Sequence, residues 1–264
     1  MSISNTEFRY GRVSRTFHWL TALLILTAIP LGLIANGLPF DTDAELARKA
    51  LLFSLHKTVG IAAFFVALAR ILWAIVQPKP AALHPERKLE TLAAETVHWL
   101  LYASLVIVPL SGWLHHAATS GFAPIWWPFG QGLPLVPESA ALADFFKAWH
   151  LVFTKVLGVS VLLHVAGALK HVLIDRDDTL ARMVSGVEAG TVGEGHTRAP
   201  VLYASVLWGA AIALGSVLGL PGERAETEAL AEVQSDWQVQ DGTLSITVLQ
   251  LNSPVNGTFA DWTA

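Results

Sequence analysis

The sequence predicts an all-α membrane protein, in which a four-helix transmembrane bundle is followed by a fifth transmembrane helix and a short β-rich tail. Hydrophobic residues make up 53% of the 264 residues, charged residues make up only 14%, and the mean hydropathy is +0.50. Soluble domains are closer to a quarter charged. Five apolar segments also reach the length of about 20 residues that a helix needs to cross a bilayer, so membrane lipid is the expected surroundings.

The composition excludes several kinds of site. The chain contains no cysteine, which excludes disulfides, thiolate catalysis, cysteine-bound iron–sulfur clusters and covalently attached haem. The net charge of −4 gives no reason to expect nucleic acid as a partner. Any metal must therefore be held by histidine or carboxylate side chains, and ten histidines are available.

The five predicted spans divide the chain into three parts. They cover residues 16–36, 54–76, 96–117, 148–174 and 199–220. The first has the basic start and apolar stretch of a signal peptide, but we interpret it as a retained helix because it contains a histidine that the predicted site needs. The resulting division is a four-helix transmembrane domain (7–184), a linker with the fifth helix (185–222), and a linker with a β-rich segment (223–264).

Positive charge in the short loops predicts the orientation, because cytoplasmic loops are enriched in Lys and Arg. The N-terminal segment, the loop after the second span and the segment after the fourth span contain Arg9, Arg12, Arg15, Lys79, Arg87, Lys88, Arg176 and Arg182. We therefore expect a multi-pass protein of a bacterial inner membrane with a cytoplasmic N-terminus. The tail after Pro221 is then periplasmic, and the Trp- and Pro-rich loop 118–147 is either an interfacial anchor or a lid over a site at the outer face.

The tail has a different pattern from the rest of the chain. Trp237–Val239 and Leu244–Leu249 are predicted as two strands around a turn at Asp241-Gly242. About thirty residues are too few to build a core of their own. We expect this segment either to be incomplete or to need a partner.

Four histidines lie at informative depths in the spans, where ionisable residues are rare and usually functional. His18 is near the inner start of the first span, and His56 is near the outer start of the second. His150 begins the fourth span at the outer side, and His164 lies about 21 Å deeper at 1.5 Å per residue. Depth therefore predicts an inner pair, His18 with His164, and an outer pair, His56 with His150.

Two imidazoles that face each other across a helical bundle are the axial ligands of a bis-histidine haem. Fourteen residues are nearly four helical turns, so His150 and His164 project from almost the same face of the fourth span. Two haems would then stack across the membrane and pass an electron between its leaflets. The alternative for each histidine is a core side chain that is hydrogen-bonded to a backbone carbonyl.

Other polar residues are candidates for supporting roles. His98 begins the third span at the inner side, where it could support the inner haem, bind a quinone, or simply lie at the interface. His115, His116 and His171 are interpreted as helix-end residues. The cations that could bind haem propionates, or alternatively anchor the interface, are Arg12, Arg15 and Lys170 on the inner side and Lys57 and Lys147 on the outer side.

The segments around these histidines form an ordered set of motifs. They are Tyr10-Gly11-Arg12, Phe17-His18-Trp19-Leu20, Leu55-His56-Lys57-Thr58-Val59-Gly60 followed by Arg70, Ala148-Trp149-His150, and Leu163-His164-Val165-Ala166-Gly167-Ala168-Leu169-Lys170-His171. Over residues 7–184 this set resembles the bacterial cytochrome b561 family. The resemblance implies a di-haem core with two haems b and with His18, His56, His150 and His164 as axial ligands. It also implies exchange of electrons with ubiquinone and, as in superoxide oxidases, with periplasmic superoxide or another periplasmic donor.

Two further interpretations complete the analysis. The tail, from Ser235 to Trp262, resembles the start of a YceI-like polyisoprenoid-binding domain. The hypotheses for function are an oxidoreductase that uses haem b, a cytochrome b relay subunit of a larger dehydrogenase complex, and a haem-free transporter or histidine–metal hydrolase. The motif HExxH, which is typical of many zinc hydrolases, is absent from the sequence.

Overall fold

A computed structural model describes residues 2–119, 123–190, 197–218, 243–250 and 253–259. Within these residues, five helices are long and apolar enough to cross a membrane, which confirms the five predicted spans. The helices are α1 (Arg12–Gly37), α2 (Asp43–Ile75), α3 (Lys88–Ala117), α4 (Ala140–Lys170), a short α5 (Thr179–Val184) and α6 (Ala199–Val217). A π-helical turn, His171–Asp175, extends α4.

Three helices, α2, α3 and α4, begin eight or more residues before the spans predicted from hydropathy. α2 starts at Asp43, where Thr42 and Glu45 form a reciprocal capping box: Thr42 Oγ1 accepts from the Glu45 amide at 3.3 Å, and Glu45 Oε2 accepts from the Thr42 amide at 3.1 Å. α4 starts at Ala140 behind the N-cap Ser139, whose Oγ accepts from the Leu142 amide. Hydropathy detects only the long apolar stretch of such helices, so their first turns were missed.

The helices pack mainly with their neighbours in the chain. α1 packs against α2, α2 against α3 and α3 against α4. The most deeply buried positions include small residues, namely Ala35, Ala67, Ser104 and Ser160. Small side chains let the backbones of membrane helices approach closely, which is the main source of packing energy where lipid removes the hydrophobic driving force.

The fifth spanning helix, α6, is packed onto the bundle. Trp208 and Ala204 of α6 form a buried cluster with Leu100 of α3. On α6 a Cβ added at Gly215 would lie 3.3 Å from the side chains of Trp149 and Val152 in α4. α6 therefore covers one face of the α3–α4 pair.

The described part of the tail is a two-stranded antiparallel hairpin. β1 (Leu244–Gln250) pairs with β2 (Ser253–Phe259), and Val248 is opposite Val255. The expected strand at 244–249 is confirmed, and its described partner is the segment that follows it. The other expected strand, 237–239, and the turn at 241–242 lie outside the described residues.

Candidate functional site

The outer pair comes together at one end of the bundle. His56 of α2 and His150 of α4 have ring centroids 6.3 Å apart, with the ring planes at 81°. Each ring is also held by the neighbouring helix of its own hairpin: His56 Nδ1 lies 2.8 Å from the carbonyl oxygen of Ala28 in α1, and His150 Nδ1 lies 2.9 Å from that of Val108 in α3. A carbonyl oxygen can only accept, so each Nδ1 bears the proton. Each Nε2 is left with a lone pair for a metal.

Glycine makes these two contacts possible. A Cβ added at Gly32 of α1 would lie 2.8 Å from Cε1 of His56, and one added at Gly112 of α3 would lie 3.0 Å from Cε1 of His150. Both distances are shorter than ordinary contacts between carbon atoms. In each case the glycine is four residues after the carbonyl that the ring contacts. α1 and α3 therefore bind two different histidines with the same arrangement of a carbonyl and a glycine one turn later.

The inner pair lies fourteen residues further along α4. The rings of His18 in α1 and His164 in α4 have centroids 5.9 Å apart, with the planes at 57°. His98 of α3 meets His164 edge-on at 5.0 Å, and its Nδ1 lies 2.7 Å from the carbonyl oxygen of Ala94. The structure thus brings together both pairs that depth predicted, and it adds His98 to the inner one.

Both pairs have a spacing that fits an iron porphyrin. Metal–imidazole nitrogen distances are about 2 Å and each nitrogen lies about 1 Å from its ring centre, so two rings on one iron would have centres about 6 Å apart. The observed separations are 6.3 Å and 5.9 Å. The rings come from different helices, as a porphyrin wedged into a bundle requires. The residues therefore fit a bis-histidine haem at each end.

The predicted propionate cations have different surroundings. Arg12 and Lys147 are exposed. Arg15 is buried and donates from Nη1 to the carbonyl of Val184 at 2.8 Å, which ties α1 to α5. Lys170 lies 2.7 Å from Glu90 in an ion pair. A role for these side chains at haem propionates stays a prediction.

Lys57, the residue after His56, attaches the Trp-rich loop to the bundle. Its buried ammonium donates to the carbonyl oxygen of Ala123 at 2.6 Å. The next residue, Thr58, accepts at Oγ1 from the amide of Trp126 at 3.0 Å. The loop is therefore packed on the end of α2 that contains His56, while the indole of Trp126 is half exposed.

A cavity of about 730 Å³ lies beside His98, whose ring contacts His164 of the inner pair. Its lining includes Arg70, His98 and Tyr102, and Arg70 lies over the ring of Tyr102 at 5.3 Å. The sequence analysis quoted Arg70 in a motif without a role and did not single out Tyr102. An arginine inside an apolar span is itself a recognisable indication of function, so Arg70 could have been found from the sequence.

A cluster of ionisable residues also lies at this cavity. The sequence analysis did not predict the cluster, and it interpreted His171 only as a helix-end residue. His84 and His171 both line the cavity and both contact Asp177. Burial raises the pKa of Asp177, but hydrogen bonds from Thr179, His171 and His84 outweigh it and hold that pKa well below its usual range. Asp177 is therefore a carboxylate at neutral pH.

Comparisons with known proteins find relatives that match about two thirds of the chain. A family model described as prokaryotic cytochrome b561 matches residues 9–186. Cytochrome b561 homolog 2 of Escherichia coli (strain K12) is 34% identical over 185 residues, which are 70% of this chain and 95% of that protein. The probable superoxide oxidase CybB of Yersinia pestis is 26% identical over 179 residues, 67% of this chain and 96% of that protein. Cytochrome b561 homolog 1 of E. coli (strain K12) is 22% identical over 178 residues, 67% of this chain and 97% of that protein.

Proposed function

The chain belongs to the prokaryotic cytochrome b561 family of haem-binding membrane electron-transfer proteins, and from that premise we propose that it holds two haems b. The outer haem is bound by His56 and His150, and the inner haem by His18 and His164. The observation that supports this proposal best is that both histidine pairs have ring centroids about 6 Å apart, each between two helices. Because this family binds haem, we no longer favour the alternative of a haem-free transporter or hydrolase.

A haem held by one of these histidine pairs would supply a one-electron iron couple. The chain's own residues fix the orientation of the histidines that would hold it. The carbonyl oxygens of Ala28 and Val108 fix the tautomer and orientation of His56 and His150, and such outer contacts also raise the basicity of the ligating nitrogen. At the inner end, the positive charge of Arg70 would favour the reduced state of a haem held by His18 and His164.

We place the exchange of electrons with ubiquinone at the cavity beside the inner pair. Its volume lies within the range of small-molecule pockets, and its lining combines apolar surface with a few polar groups. Because Nδ1 of His98 faces a carbonyl, its Nε2 can accept a hydrogen bond from a quinol hydroxyl. Arg70 and Tyr102 can donate hydrogen bonds to quinone oxygens.

The donor that we propose is superoxide at the opposite, periplasmic face, with the N-terminus in the cytoplasm of a bacterium and the chain in its inner membrane. The name of the Yersinia pestis relative, a probable superoxide oxidase, supports this choice. Each of two superoxide ions would lose one electron to become O₂, and the two electrons with two protons would convert ubiquinone to ubiquinol. A relay subunit that receives electrons from a partner dehydrogenase is the alternative.

Haem counting tests the ligand assignment. We expect the purified wild type to contain about two haems b per chain, measured by the pyridine haemochrome method. His18→Ala or His164→Ala should lose the inner haem, and His56→Ala or His150→Ala the outer one. The control, His115→Ala, should keep both, since its ring contacts the Ala143 carbonyl rather than another predicted ligand. Wild-type protein with one haem, or His164→Ala with two, would contradict the assignment.

A second assay separates the oxidase from the relay. Purified protein in detergent receives superoxide from a xanthine oxidase system, and ubiquinol formation is followed with a soluble ubiquinone analogue. Ubiquinol formation that is lost in His56→Ala supports the oxidase. A wild type that contains both haems but forms no ubiquinol without a partner subunit would favour the relay.

A further inference from the structure

A second histidine cluster lies at the inner end of the bundle, where the fourth span ends and the loop before the third span begins. His84 belongs to the loop before α3, His171 begins the π-helical turn, and Asp177 follows that turn. His84 Nε2 lies 3.0 Å and His171 Nδ1 lies 2.6 Å from the same oxygen, Oδ2 of Asp177. The imidazole rings are stacked in parallel, with centroids 6.3 Å apart.

The other nitrogen of each ring also faces a carboxylate. His84 Nδ1 lies 3.2 Å from Glu86 Oε1, and His171 Nε2 lies 3.1 Å from Glu90 Oε1. Without a metal, each ring donates to Asp177 from the nitrogen that contacts it. A neutral imidazole has one N–H and one lone pair, so a cation between the rings and Asp177 would bind the nitrogens that face it, while the other nitrogen of each ring would bear the proton and donate to Glu86 or Glu90. This is the carboxylate–histidine–metal pattern of known metal sites.

The charge and shape of the cluster suit a divalent ion. Four carboxylates, those of Glu86, Glu90, Asp175 and Asp177, lie together here, and Arg87 and Lys170 contact three of them. The three candidate donor atoms lie within 4.8 Å of one another. In a tetrahedral zinc site, donor atoms are about 3.3 Å apart, so a small outward movement from the present contacts would admit the ion. Asp177 is held for this role by the amide of Thr179, which donates to Oδ1 at 2.9 Å.

We propose that His84, His171 and Asp177 form a binding site for a divalent transition-metal ion of the zinc type, separate from the haem sites. Two imidazoles and one carboxylate are a donor set typical of such ions and unlike the all-oxygen sets of magnesium or calcium. The ion would join the loop before α3 to the end of α4, seven residues beyond His164. The adjoining cavity, which both histidines line, offers a path for its entry.

Zinc binding by the full-length, haem-loaded protein in detergent tests the proposal. The protein is first treated with a chelator and desalted, and Zn²⁺ is then titrated by calorimetry, with bound zinc counted by elemental analysis. We expect one tight zinc site per chain and at least a tenfold weaker affinity in Asp177→Asn, while Mg²⁺ should not compete. The control is Asp178→Asn, because Asp178 is an exposed neighbour of the same charge, and its affinity should equal that of wild type.

The haem spectrum reports the fold of each variant independently of zinc. If Asp177→Asn loses its haem, His84→Asn serves instead, because His84 lies in a loop and its replacement breaks no helix. Equal zinc affinity in the wild type and in a haem-loaded cluster variant would overturn the proposal, as would a wild type that binds no zinc in the titration. Neither result would bear on the two-haem assignment, which the haem count tests separately.

Discussion

Replacement of Gly32 by alanine is expected to displace the ring of His56 and to weaken the outer haem site. The added methyl group would lie 2.8 Å from Cε1 and 2.9 Å from Nδ1 of that ring. Relief to an ordinary contact requires a movement of about 0.6 Å or more. Because Nδ1 is held by the Ala28 carbonyl at 2.8 Å, this movement stretches the contact that orients the ligand.

The expected magnitude follows from that lost contact. Loss of an outer-shell partner of a metal-binding histidine typically lowers affinity about 10- to 100-fold, which corresponds to about 1.4–2.8 kcal/mol. We expect this weakening at the outer haem alone. Gly112→Ala should have a smaller effect of the same kind, since its methyl group would lie 3.0 Å from the ring of His150.

The assay is the transfer of haem from the purified variant to excess apomyoglobin, followed by absorbance. The control is Gly209→Ala in α6, where an added Cβ meets no atom within 4 Å. Both substitutions replace a helical glycine and gain about 1 kcal/mol of helix propensity, so a general loss of stability is not expected from either. Equal haem retention in Gly32→Ala and Gly209→Ala would refute the reasoning.

Two further predictions concern the loop and the fifth spanning helix. Lys57→Met leaves the buried Ala123 carbonyl without its ammonium donor, at a cost of about 1–3 kcal/mol, so hydrogen exchange at the Trp126 amide should become roughly 10- to 100-fold faster. Lys147→Met, at an exposed position, should leave that exchange unchanged, and equal rates in the two variants would contradict the packing of the loop on α2. Trp208→Ala should lower the midpoint of thermal unfolding by several degrees without changing haem content, because α6 lies beyond the residues that the family model matches. Tyr203→Ala, at an exposed site on the same helix, is its control, and equal midpoints would show that the Trp208 contact contributes little.

The helices and the histidine pairs were predictable because both depend on position along the chain. Hydropathy locates each span, and a rise of 1.5 Å per residue converts the spacing of His150 and His164 into depth. Depth is enough to pair the four histidines, because they lie at only two levels of the bundle. The early starts of α2 and α4 depend on caps such as Thr42 and Ser139, which lie outside the apolar windows.

The contacts of each histidine could not be predicted, because they depend on the rotation of every helix about its axis. Gly32 and Gly112 are unremarkable in a membrane sequence, where small residues serve helix packing everywhere. His84 and Asp177 are 93 positions apart, and no local pattern joins them. Their contact needs the end of α4 to return toward the loop before α3, which only the three-dimensional structure reveals.

The shared use of α4 has a mechanical consequence. His150 and His164, one from each pair, lie on the same uninterrupted helix. Their partners, His18 and His56, lie on separate helices. A slide or tilt of α4 would alter both ring separations together, so the two proposed haem sites would respond as one unit to a force at either membrane surface. A change at one proposed site alone would have to come through α1 or α2.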